Sequence, residues 1–88
     1  MKIYTASHTR HAEKWQKLRV DGLNIISTWI DIIGEPPDKS KFWQKCIDEI
    51  YQSDVFLFYA EPEDRMRGAL VEFGIALTVG IDIFLGWF

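Results

Sequence analysis

The sequence predicts an α/β domain of three layers, a four-stranded parallel sheet of order 2-1-3-4 between helices on both faces. Three observations carry this. Strand-like and helix-like segments alternate along the whole chain, which is the pattern of βαβ units. The most strand-like segment, Asp54 to Ala60, reads DVFLFYA. It is apolar throughout instead of alternating, as a strand covered on both faces is. Crossovers in such units are right-handed, which leaves few topologies, and the commonest small one sets the first strand between the second and third.

The elements follow in order. Lys2 to Ser7 (KIYTAS) is short and β-leaning, a buried first strand. Thr9 is a candidate helix cap, and Ala12, Trp15, Leu18 and Arg19 follow at helical spacing. Asp21-Gly22 closes that helix, with Gly at the position that favours a left-handed backbone. Leu23 to Trp29 (LNIISTW) is apolar and β-branched, a second strand. Ile30 to Lys39 contains Gly34-Glu35-Pro36-Pro37, and paired prolines place it in a loop. Ser40 is a plausible cap for a second helix, whose Trp43, Cys46, Ile47 and Ile50 make one apolar stripe. Glu61 to Met66 is a polar loop after the third strand. A third helix, Arg67 to Val79, buries Ala69, Phe73, Ala76 and Leu77 and ends at Gly80; a fourth strand runs from Ile81 to Phe88.

Composition fits one small domain spanning residues 1–88, with 48% hydrophobic and 15% aromatic residues, including four Trp and six Phe. These values exclude disorder, which goes with few aromatics and high net charge. The net charge of −3 argues against nucleic acid as the main partner, because phosphate binding calls for a basic excess. No uninterrupted apolar run reaches the ~18 residues of a membrane span, and the Met1-Lys2-Ile3-Tyr4 start does not read as a signal peptide. A single cysteine, Cys46, excludes an internal disulfide and a multi-Cys zinc site, so a reducing cytoplasm is the expected compartment.

Open α/β sheets bind ligands beyond the carboxyl ends of the strands, where the strand order reverses. Ser7, His8 and Thr9 are delivered there by the first strand, Ser27, Thr28 and Trp29 by the second, and Tyr59 and Glu61 by the third. The start of the third helix also points there, and its free N–H groups suit an anion. Gly68 would admit a close approach, with Arg65 and Arg67 beside it. Glu72, about one turn into that helix on the edge of its apolar stripe, is the candidate catalytic carboxylate. A glutamate early in a helix also simply complements the helix dipole. Tyr4 could reach such a carboxylate or could merely pack. His8 and His11 read more simply as a solvated helix start, and they lack the ligands of a metal site. Trp29 and Trp43 suit either the core or stacking on a base.

The segments KIYTAS, SDVFLFYAEPED and GALVEFGIAL followed by GIDIF resemble the nucleoside 2-deoxyribosyltransferase-like superfamily, which includes deoxynucleoside 5′-monophosphate N-hydrolases. The resemblance covers essentially the whole chain, and the Gly-x-x-x-Glu-x-Gly-x-Ala helix is its most specific part. It implies a flavodoxin-like, Rossmann-like fold and N-glycosidic chemistry. The helix Glu, here Glu72, would attack the anomeric carbon of a 2′-deoxyribose and form a covalent glycosyl–enzyme intermediate. A first-strand Tyr, here Tyr4, would hydrogen-bond that nucleophile. Ser7, His8, Thr28, Glu61, Arg67 and Gly68 would line the sugar and phosphate region. No metal or organic cofactor is implied. Relatives carry an Asp on the second helix eight residues before the Asp that opens the third strand, and this chain has Cys46 there. Glu61 or Asp64 could take over its acid role.

The first expectation is therefore a deoxyribosyltransferase or N-hydrolase acting on a deoxynucleoside or its monophosphate. The alternative is a non-catalytic nucleotide-binding module, favoured by Cys46. A third reading is an assembly protein. The apolar stretch Phe84-Leu85-Gly86-Trp87-Phe88 also leads us to expect a homodimer or higher oligomer.

Overall fold

The computed structural model describes residues 1–32, 34–65 and 67–87, the side chains of Arg67 and Trp87 excepted. Strand and helix alternate as β1 (Ile3–Ala6), α1 (Ala12–Val20), α2 (Lys39–Gln52), β2 (Val55–Ala60), α3 (Arg67–Val79) and β3 (Asp82–Trp87). Short 3-10 turns at Thr9–His11 and Thr28–Asp31 flank α1. The three strands form one parallel sheet of order β1-β2-β3. Tyr4 stands opposite Phe56, and Phe56 opposite Ile83.

Alternation along the strands separates the two faces. Tyr4, Phe56 and Phe58 point toward α3, where the Phe73 ring lies 6.3 Å from Phe56 and 5.5 Å from Phe58. Tyr59 points the other way and meets the rings of His11 and Trp15 edge-on at 5.0 and 6.1 Å. Helices thus cover both faces, with α1 on one and α3, against α2, on the other. Tyr4 and Phe56 are fully buried and stack at 5.7 Å. Fully burying one such ring contributes roughly 2–3 kcal/mol. Ala69 and Ala76 are the small buried residues that bring α3 close to the sheet.

Gly80 ends α3 at φ +83° and Gly22 follows α1 at φ +118°, as their positions suggested. Two caps differ from expectation. Asp38 caps α2, its carboxylate accepting from the Lys41 N–H at 3.1 Å, in place of Ser40. His8 caps the first 3-10 turn in place of Thr9, its Nδ1 accepting from the Arg10 N–H.

The segment Leu23–Trp29, expected as a second strand, makes a single parallel bridge between Ile25 and Ile3. The main chain pairs on either side of that bridge, Ile3 N–H to Asn24 O and Ile26 N–H to Ile3 O, both at 2.9 Å. The next donor along β1, the Thr5 N–H, goes to the Ser27 hydroxyl at 3.2 Å instead of to a backbone carbonyl. One residue later Glu49 takes both the N–H and the hydroxyl of Thr28, at 3.1 and 2.7 Å. Side chains thus satisfy the backbone where a ladder would have continued, and the chain curls into the Thr28–Asp31 turn. Among the described residues no helix is long and apolar enough to cross a membrane.

Candidate functional site

A cleft of about 840 Å³ opens at the carboxyl end of β1, flanked by the loops that follow β1 and β2. Ser7 and His8 enter it directly after β1, Gly68 and Glu72 from α3, Phe42 and Trp43 from α2, and Trp29 from the second 3-10 turn.

On its floor the Tyr4 hydroxyl donates to the Glu72 carboxylate, joining residues from β1 and α3. Tyr4 is fully buried and Glu72 is 7% exposed. Burial raises the Glu72 carboxyl to about 7; the Tyr4 donor pulls it down and the nearby Glu49 carboxylate pushes it up. Burial, and then the Glu72 charge, hold the Tyr4 hydroxyl far above its ordinary value, so it stays protonated and acts only as a donor. Cys46 lies against this pair on the inner face of α2, and burial lifts its thiol to about 11. It is therefore a neutral neighbour of the pair rather than a nucleophile.

The rim is built differently. Arg10 reaches Asp64 at 2.7 Å and Glu61 at 3.0 Å. His11 Nε2 pairs with Asp64 at 2.9 Å, and Lys14 with Glu61 at 2.9 Å. The Tyr59 hydroxyl donates to Glu61 at 2.5 Å, and the Glu61 N–H to Asp64 at 2.8 Å. The Tyr59 and Lys14 donors pull the Glu61 carboxyl down to about 2. Burial opposes ionisation of Asp64, but the Glu61 N–H, His11 and Arg10 outweigh it and hold the carboxyl well below its ordinary range. The network ties the loop after β2 to the start of α1. His11 is 2% exposed at its centre, so the solvated helix start expected for it is corrected.

Of the site residues inferred from the sequence, Ser7, His8, Gly68 and Glu72 line the cleft, and Tyr4 stands behind its wall in contact with Glu72. Ser7 lines the cleft with its hydroxyl engaged, donating to the His8 carbonyl at 3.0 Å and accepting from the Trp15 indole at 2.9 Å. His8 accepts through Nδ1 at 3.0 Å, so a neutral ring carries its proton on Nε2 and can donate it to a ligand. At Gly68 an added Cβ would stand 3.5 Å from the Trp43 ring, an ordinary contact, so glycine is not sterically required. Thr28 is held by Glu49 and is not part of the cleft wall. Glu61 belongs to the rim network and also lies outside that wall. The Arg67 side chain lies outside the described residues. Glu61 and Asp64 are each saturated by cations and donors, which leaves neither as a substitute acid. Arg10 and Phe42 line the cleft and were not anticipated. Arg10 was legible in principle, as the residue just beyond the small polar end of β1.

Among the described residues, no group of three or more His, Cys, Asp or Glu side chains is placed to hold a metal ion. Compared with known proteins, the chain matches no protein-family pattern and no curated protein.

Proposed function

We propose that this protein cleaves or transfers the N-glycosidic bond of a deoxynucleoside or its 5′-monophosphate, with Glu72 as nucleophile and Tyr4 as its orienter. The observation that carries the proposal is the buried Tyr4–Glu72 hydrogen bond on the floor of an open, aromatic-walled cleft. A Glu72 oxygen attacks the anomeric carbon while the bond to the base nitrogen breaks. That nitrogen keeps the electron pair and takes a proton from water. A glycosyl ester on Glu72 results; water attacks it to release the sugar, or a second base attacks it to complete transfer. The transition state resembles an oxocarbenium ion, which an adjacent carboxylate stabilises before bonding to it. With its carboxyl raised to about 7, Glu72 is partly ionised at neutral pH. Trp29 and Trp43 offer the flat apolar walls a base needs, and His8 Nε2 offers a donor. In this reading the Ile25 bridge stands where strand 2 of a four-stranded flavodoxin-like sheet of order 2-1-3-4 would lie.

One observation favours the alternative, a nucleotide-binding module without turnover. Cys46 holds the α2 position for which the resemblance implies an Asp, and its thiol stays protonated. Incubation with the four common deoxynucleosides and their 5′-monophosphates, with and without an acceptor base, separates the two. The enzyme releases or exchanges base, and Glu72→Ala loses that activity by roughly 10³-fold, about 4 kcal/mol of barrier. Saturable binding without release, alike in wild type and variant, establishes the module instead.

A further inference from the structure

Glu49 is a buried carboxylate that the proposed chemistry does not use. It is 8% exposed, and among the described residues it enters no ion pair. Burying a carboxylate without a cation is costly unless donors meet its oxygens. Here one residue meets both: the Thr28 N–H donates to Oε1 at 3.1 Å and the Thr28 hydroxyl to Oε2 at 2.7 Å. Ser27, which precedes the Thr28–Asp31 turn, does not cap it, because its hydroxyl is engaged with that of Thr5 at 2.6 Å. The cap comes from α2 instead. The two bonds join elements that each supply an aromatic wall, since Trp29, next to Thr28, and Trp43, on α2, both line the cleft. The turn has three other holds. The Trp29 indole N–H donates to the Thr5 carbonyl at 2.6 Å, Gln16 to the Ile30 carbonyl at 2.6 Å and Arg19 to Asp31 at 2.8 Å. Those holds reach β1 and α1. Among the described residues, the hydrogen bonds that join the turn to α2 are those of Glu49.

We propose that Glu49 is a positioning residue of the cleft, tying the turn that carries Trp29 to the helix that carries Trp43 and so setting where the two rings stand against a bound base. Glu49 itself lies outside the cleft wall and touches no guest. That the guest is a base rests on the proposed function; the tie between turn and helix does not. A wall already in place spares the ligand the cost of ordering it, whereas a freed tryptophan must be ordered on binding, which weakens affinity by up to about tenfold.

The test is calorimetric binding of the four common deoxynucleosides and their 5′-monophosphates, in a Glu72→Gln background so that none is consumed. That background also removes the influence of the Glu49 charge on Glu72. Glu49→Met keeps the length of the side chain and removes both acceptors, and it should weaken binding about tenfold. Glu49→Gln should restore most of the affinity, because its amide oxygen accepts from the Thr28 N–H and its amide N–H donates to the Thr28 hydroxyl oxygen. Thr28→Val is the milder break should Glu49→Met fail to fold. It removes the hydroxyl half of the tie and should cost roughly threefold, half of that free energy. A merely structural Glu49 would lower stability in urea and leave the affinity of the folded protein unchanged, and that result overturns the proposal. So does Glu49→Gln binding as weakly as Glu49→Met, which would make charge and not the tie the cause, or the absence of binding by all eight compounds. Base release by the wild type is measured beside it. Release together with an affinity indifferent to Glu49 sinks the positioning role alone, whereas binding that depends on Glu49 without release sinks only the proposed chemistry.

Discussion

Glu72 and Glu61 are the same side chain at two ends of one loop-and-helix segment, and the fold drives them in opposite directions. Glu72 faces a buried tyrosine, a thiol and another carboxylate, and its carboxyl rises to about 7. Glu61 faces Arg10, Lys14 and the Tyr59 hydroxyl, and its carboxyl falls to about 2. Desolvation without a cation makes a carboxylate costly and reactive, whereas cations and donors make it stable and inert. In the proposed reading the floor of the cleft holds the chemistry, and the rim holds the loops in place.

The largest expected effect would break this contrast at Glu72. Its folded value lies above its ordinary 4.5, so the folded state binds more protons between about 4.5 and about 7. Stability falls as pH rises through that window, by up to about 3 kcal/mol. Glu72→Gln removes the buried charge. Urea unfolding should find this variant more stable than wild type at pH 8 by about 2–3 kcal/mol, the difference closing near pH 4.5 while base release is lost. An equal deficit at every pH would mean that the carboxylate is not strained.

Tyr4→Phe comes next. It leaves the carboxyl without its donor, which costs about 1–3 kcal/mol of stability. Because that donor lowers the Glu72 value, its loss moves the midpoint of the pH–rate profile upward. At pH 7 base release should drop about tenfold and recover partly in alkali. An unmoved midpoint would separate Tyr4 from the nucleophile.

The smallest effect belongs to the rim. The stability that Glu61 supplies is present above its ordinary 4.5 and is lost as pH falls toward about 2. Glu61→Gln should flatten the acid limb of the stability curve, most visibly at low salt, because exposed pairs are screened. Base release at neutral pH should change little. A loss comparable to that of Glu72→Ala would return Glu61 to the reacting site.

Much of this arrangement was legible in the residues themselves. The apolar run Val55–Ala60, the Gly80 stop and the helical stripe of α2 all correspond to observed elements. Glu72 and Tyr4 each stand out in the sequence, and the fold brings them into contact. The second strand was misjudged because LNIISTW has strand composition, while Ser27 and Glu49 side chains take the donors that a longer ladder would use. Thr28 and Glu61 stand near the expected end of the sheet but are claimed by other partners. His11 is polar and early in a helix, yet Asp64 and the Tyr59 ring enclose it.

By itself the sequence determined which segments become strands and helices, Leu23–Trp29 excepted, because periodicity acts through neighbours a few residues apart. Only the tertiary structure decided which polar groups meet. Tyr4 and Glu72 are 68 positions apart, and the protonation of a carboxylate depends on what surrounds it in space. That is why two chemically identical glutamate side chains end with opposite electrostatic fates.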